Sequence, residues 1–106
     1  MTYLAESMPE PTREDVDRLP GWTLVEFGAA WCPHCRGVQP ELKRQLDARA
    51  DIRHLKIEDG PGRPLGRSFR VKLWPTLVLL RDGAIVQQVV RPDDAELERL
   101  VAAAWP

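Results

Sequence analysis

Trp22-Thr23-Leu24-Val25-Glu26-Phe27-Gly28-Ala29-Ala30-Trp31-Cys32-Pro33-His34-Cys35 joins two kinds of structure and holds both cysteines of the chain. Its first half, Trp22–Phe27, is short, mostly apolar and bounded by glycines, as a buried strand is. After it, Val38, Leu42 and Leu46 lie four apart on one face of a helix predicted from about Pro33 to Ala48. Pro40 falls inside that helix, where it removes a donor and is expected to kink it. The C-x-x-C pair thus stands where a strand has ended and a helix begins. There Cys32 meets unpaired backbone N–H groups and the positive end of the helix, both of which favour a thiolate.

Outward toward the N-terminus, Thr12 with Asp15 is a helix-start box, and Val16 and Leu19 suit a short helix ended by Pro20-Gly21. Thr2–Ala5 is expected as a short edge strand. Toward the C-terminus, Ile52–Ile57 is predicted as a strand and Gly60-Pro61-Gly62 as a loop. A short helix follows around Pro64–Phe69, although Gly66 weakens it. Thr76–Leu80 and Ala84–Val90 flank Asp82-Gly83, the pattern of a β-hairpin. Asp93 with Glu96 starts a last helix striped by Leu97, Leu100, Val101 and Ala104. Strands alternating with helices imply a parallel pair, and the hairpin adds antiparallel strands, so an α/β fold with a mixed sheet is expected. Residues 1–106 are read as one domain.

Composition narrows the function. Fifteen basic and sixteen acidic residues nearly cancel, and neither sign forms a long block, which argues against nucleic-acid and membrane-surface partners. The start, Met1-Thr2-Tyr3-Leu4-Ala5-Glu6, lacks the basic flank and apolar run of a signal peptide. No stretch approaches the ~20 apolar residues of a membrane span. A cytoplasmic setting is the expectation.

Cys32 and Cys35 invite several readings. A structural disulfide would close a tiny loop in a domain large enough to fold without one. A zinc site needs about four ligands, and only His34 and His54 are available to join the cysteines. Haem attachment wants histidine directly after the second cysteine, where Arg36 stands. A redox dithiol fits best: one thiolate attacks a substrate disulfide, and a second thiol three residues on resolves the mixed disulfide. That chemistry needs no cofactor and no metal.

Val25-Glu26-Phe27, Trp31-Cys32-Pro33-His34-Cys35, Pro40, Trp74-Pro75-Thr76, the Asp82-Gly83 hairpin and the last helix together resemble the thioredoxin family over nearly the whole chain. The resemblance implies a thioredoxin fold, a central mixed β-sheet with helices on both faces. It implies that Pro75 is cis and lies against the cysteines. The backbone of Trp74 would then be free to pair with an extended substrate, with Trp31 and Thr76 beside it. Glu26 stands where thioredoxins carry an acid that relays protons to or from the second cysteine. Buried in an apolar strand, it is expected to have a raised pKa. Position matching places His54 where thioredoxins commonly carry a lysine, suggesting a Glu26–His54 pair.

The departures concern specificity. Pro33-His34 replaces the usual Gly-Pro and resembles the dipeptide of periplasmic disulfide oxidases, so His34 is a candidate for stabilising the Cys32 thiolate. Gly28 stands where thioredoxins usually have tryptophan, Trp74 is large for its position, and Arg91-Pro92 replaces small residues. A monomeric reductase or exchanger acting on protein disulfides or dithiols is favoured over a dedicated oxidase. A thioredoxin-reductase-like or glutathione system would regenerate it. The alternative is a peptide-binding or chaperone module with the same groove and little turnover.

Overall fold

The computed structural model describes residues 2–105. Four strands form one sheet: β1 (Trp22–Gly28), β2 (Ile52–Glu58), β3 (Thr76–Arg81) and β4 (Ala84–Val90), in the order β2-β1-β3-β4. β1 runs parallel to β2 and antiparallel to β3, and β3 is antiparallel to β4. The mixed sheet is the one the element order predicts.

Helices cover both faces, and alternation along the strands decides which residues meet them. Leu24, Leu77 and Leu79 face α2 (Pro33–Asp47) and α4 (Asp94–Ala102), packing on Leu42, Leu46, Leu97 and Leu100. Val25, Phe27, Val78 and Leu80 face α1 (Arg13–Asp17) and α3 (Pro64–Ser68), packing on Val16, Leu65 and Phe69. Leu42 and Leu46 are fully buried; each such side chain contributes about 1.5–3 kcal/mol through removal from water. Because β1 is central, Glu26 points into the α2–α4 layer beside Leu24 rather than to solvent.

Local signals place the elements well. Thr12 and Asp93 are N-caps with complete capping boxes to Asp15 and Glu96, worth about 1 kcal/mol for each cap. At the hairpin, Asp82 and Gly83 both have positive φ, 50° and 82°, as a type I′ turn requires. A Cβ on Gly83 would lie 2.0 Å from the Asp17 carbonyl oxygen, so the turn also docks on α1. α2 continues through Pro40 to Asp47.

Thr2–Ala5 forms no strand. Met8 N–H donates to the Lys56 carbonyl, but the Leu4 N–H is taken by a side chain, His54 Nδ1, at 2.8 Å. With side-chain tethers in place of a ladder of backbone bonds, the segment crosses the edge of β2 as an irregular strap.

Candidate active site

Cys32 is the N-cap of α2, with Pro33 at the first helical position, where the missing N–H costs nothing. Its Sγ accepts from the Cys35 N–H at 3.3 Å. Both cysteines are reduced and buried against Ala29 and Trp74. Burial is the largest influence on Cys32 and opposes ionisation. It is outweighed by hydrogen bonds from the Cys35 thiol and from the Cys35 and His34 backbone N–H groups, and by the charge of Arg91. The Cys32 pKa is therefore held below that of an ordinary thiol. Cys35 goes the other way. Burial first, then the hydrogen bond it makes to Cys32 and the negative charges of Cys32 and Glu26, push it up to about 12. One thiol is poised to attack and the other is kept protonated.

Gly28 makes room for that second thiol: a Cβ there would lie 2.6 Å from Cys35 Sγ. A side chain at position 28 would therefore press on Cys35 Sγ and shift it.

Glu26 is 2% exposed and sits among partners. It accepts from His54 Nε2 at 2.8 Å, Gln39 Nε2 at 2.7 Å and Lys56 Nζ at 3.0 Å. The Leu4 N–H on Nδ1 makes that nitrogen an acceptor, so the His54 proton lies on Nε2 and points at the carboxylate. The expected Glu26–His54 pair is therefore formed. The expected rise in the Glu26 pKa is not: burial pushes upward, but His54, Lys56 and Gln39 together hold it below its ordinary value of 4.5. Lys56 stands directly opposite Glu26 in the parallel register, and His54 opposite Leu24, so two side chains of β2 reach one carboxylate. Gln39 ties this cluster to the dithiol, since the same Nε2 also donates to the Cys35 carbonyl at 2.8 Å.

A cavity of about 370 Å³ lies beneath the dithiol, lined by Glu26, Gly28, Cys35, Gln39 and Lys56 and bordered by the strap at Ala5–Ser7. It is large enough for water and has polar groups to hold it. Cys35 and Glu26 both open onto it.

The Trp74–Pro75 bond is cis, as the resemblance implies. Trp31, 69% exposed, meets Trp74 edge-on at 5.5 Å, and the Trp74 indole N–H donates to Asp59 at 2.8 Å. Three expectations change here. The Trp74 carbonyl is not open: Arg91 Nε donates to it at 2.8 Å, so a substrate strand must displace that guanidinium or pair with the N–H alone. Thr76 is buried, with its hydroxyl donating to the Leu73 carbonyl at 2.6 Å; it holds the turn and has no surface to offer a substrate. The His34 side chain is exposed and faces Arg91 and Pro92 across a surface cleft. What His34 gives Cys32 is its backbone N–H, not its imidazole. Sequence reading missed Gln39, Lys56 and the Arg91 contact. Gln39 lies one turn after Cys35, a spacing that signals contact in a helix.

A dithiol at the start of a helix, flanked by a cis-proline turn on a mixed sheet, defines a thiol–disulfide exchange site of the thioredoxin type. The thioredoxin family model matches residues 9–103, and the chain belongs to the thioredoxin family. It is 31% identical over 85 residues to thioredoxin-2 of Pyricularia oryzae, covering 80% of this chain and 50% of that protein. It is 37% identical over 73 residues to the thioredoxin of Staphylococcus haemolyticus, covering 66% and 68%. Among solved structures, reduced thioredoxin 2 from Pseudomonas aeruginosa PAO1 superposes with a TM-score of 0.80 at 51% identity, covering 98% of this chain and 94% of that one. The chain spans about half the length of the first curated relatives it matches.

Proposed function

We propose that the protein is a thiol–disulfide oxidoreductase that exchanges disulfides with protein substrates. The observation that carries this reading is the opposite tuning of two thiols three residues apart, Cys32 below and Cys35 far above an ordinary thiol. In the forward reaction the Cys32 thiolate attacks one sulfur of a substrate disulfide. A Cys32–substrate disulfide forms and the other substrate sulfur leaves as a thiolate, which takes up a proton. Cys35 then loses its proton and attacks Cys32 Sγ. The Cys32–Cys35 disulfide forms and the second substrate thiol leaves. Two electrons pass from the protein dithiol to the substrate.

The proton from Cys35 has a path across the cavity to the Glu26 carboxylate, with water as carrier. Once Cys32 is in a mixed disulfide, its negative charge no longer holds the Cys35 proton in place. Trp31, Trp74 and Pro75 form the substrate platform, where an aromatic pair covers the partner's disulfide. Residues 1–106 act as one unit, in a reducing, cytoplasmic setting, as a monomer. Regeneration by a thioredoxin-reductase-like protein or by glutathione completes the cycle. Among the described residues no helix is long and apolar enough to cross a membrane.

Equilibration with glutathione redox buffers, followed by tryptophan fluorescence, tests the reading. It predicts a Cys32–Cys35 disulfide with a potential above the about −270 mV of thioredoxin and below the about −120 mV of the periplasmic oxidase. Failure to form that disulfide in any buffer, with partner binding intact in a Cys32→Ser/Cys35→Ser variant, would favour the binding-module alternative.

A further inference from the structure

Beside the substrate platform lies a second cavity, of about 590 Å³, whose charged lining is Arg63, Arg67, Arg70 and Lys72 against one carboxylate, Asp59. Asp59 is committed to the Trp74 indole N–H, and Arg63 pairs with Glu58 at 3.1 Å. Among the described residues no carboxylate lies within 4 Å of Arg67, Arg70 or Lys72. The protein has sixteen acidic residues, yet none falls between positions 60 and 81. Three unpaired cations around one concavity repel each other, and the repulsion is relieved when an anion enters.

Arg70 adds an independent mark. It follows the C-cap of α3: its N–H bonds the Arg67 carbonyl at 2.9 Å and the Val71 N–H bonds the Gly66 carbonyl at 3.0 Å. This is a Schellman motif, whose left-handed position glycine usually fills. Arg70 takes φ 60° there, a conformation that disfavours any side chain with a Cβ. Backbone geometry alone would choose glycine; what arginine adds is a guanidinium at the cavity.

We propose that this cavity receives acidic side chains of the protein whose disulfide Cys32 attacks, so that substrates carrying Asp or Glu near the reacting cysteine are preferred. The inference rests on the oxidoreductase reading above. Continuity with the platform favours a protein ligand over a small anion. Lys72 lies two residues before Trp74, with Leu73, 51% exposed, between them, so one extended segment can cover the apolar platform and reach the basic cavity. Guanidinium groups bind carboxylates through paired N–H donors.

The test uses two disulfide peptides of one sequence, flanked either by Asp and Glu or by Asn and Gln, with 2-hydroxyethyl disulfide as a small neutral reference. kcat/KM for the acidic peptide is expected to exceed that for the neutral one by about tenfold at low salt, with the excess fading toward molar salt. Arg70→Gly, and separately Arg67→Gln with Lys72→Gln, should each bring the ratio toward one. Arg70→Gly should also raise the unfolding midpoint, separating loss of a ligand group from loss of structure. Equal rates for both peptides at every salt concentration, or a ratio unmoved by the substitutions, would overturn the acidic preference alone. Perturbation of the cavity by inorganic sulfate, with no peptide preference, would reduce it to a small-anion site and overturn it equally. Failure of the unaltered protein to reduce either peptide or the neutral reference would overturn the oxidoreductase reading beneath it.

Discussion

Glu26→Gln removes one negative charge from the buried site while hardly changing its volume. The carboxylate accepts three hydrogen bonds, from His54, Gln39 and Lys56. An amide oxygen in the Oε2 position keeps two of them, from Gln39 and Lys56, and the amide nitrogen then faces the His54 Nε2–H. The lost charge-assisted bond costs about 1.5–3 kcal/mol, and weakening of the other two as the charge disappears brings the bound to roughly 6 kcal/mol. Desolvation of the ion is relieved at the same time. Lys56, whose side chain keeps 16% exposure, already donates to the Gln39 side-chain oxygen Oε1 at 3.0 Å and can turn further toward water. A net loss of about 2–3 kcal/mol at pH 7 is expected. The sign with pH follows from the depressed carboxyl. Such a group contributes stability that is present above its unfolded pKa, near 4.5, and is lost as pH falls through the lower folded value. Glutamine does not titrate, so the gap between the two proteins should narrow below pH ~4.5. Urea unfolding of both proteins at a series of pH values measures this. A gap that stays constant on acidification would mean that folding leaves the Glu26 carboxyl unshifted, and one that widens would mean that folding raises it; either result would refute the ion-pair argument.

Alkylation near neutral pH should modify Cys32 and spare Cys35, because only the former has a pKa below that of an ordinary thiol; peptide mapping showing Cys35 modified first would contradict the assignment. Arg91→Gly removes a positive charge that favours the Cys32 thiolate and should raise the pH at which thiolate absorbance appears, an unchanged titration excluding the guanidinium. Gly28→Ala places a methyl group 2.6 Å from Cys35 Sγ. It should lower stability by ~1–3 kcal/mol and slow resolution of the mixed disulfide more than its formation, as single-turnover quenching would show. His34→Pro, which leaves Cys32 without the His34 N–H, should lower the reduction potential measured in glutathione buffers.

The parts of the fold that were legible in the sequence were those fixed by near neighbours. The capping boxes at Thr12 and Asp93, the Asp82-Gly83 turn and the four-residue spacing of Val38, Leu42 and Leu46 each carry their own geometry within one or two turns. Cys32 and Cys35 were legible for the same reason. Thr2–Ala5 was misread because its fate depends on His54, some fifty residues away, which takes the Leu4 N–H that a strand neighbour would use. The Glu26 pKa was misread because burial is visible in an apolar strand, whereas the donors that reverse its effect are brought in by the β1–β2 register and by α2. One of them, His54, was anticipated through the family resemblance; Lys56 and Gln39 were not. His34 was legible as a candidate for stabilising the Cys32 thiolate, but not that its backbone N–H does so, since direction at a helix start is a matter of coordinates. The basic cavity was missed because the overall charge balance hides an acid-free stretch, residues 60–81, that holds Arg63, Arg67, Arg70 and Lys72.

The division of labour between the two cysteines is tested most directly by trapping. A Cys35→Ser variant is incubated with a disulfide-containing substrate, and the product is resolved by intact mass and peptide mapping. A stable adduct at Cys32, absent from the Cys32→Ser variant and released by the unaltered protein, is the predicted result. Continued turnover by the Cys35→Ser variant, or an adduct on Cys35 when Cys32 is replaced, would contradict the account.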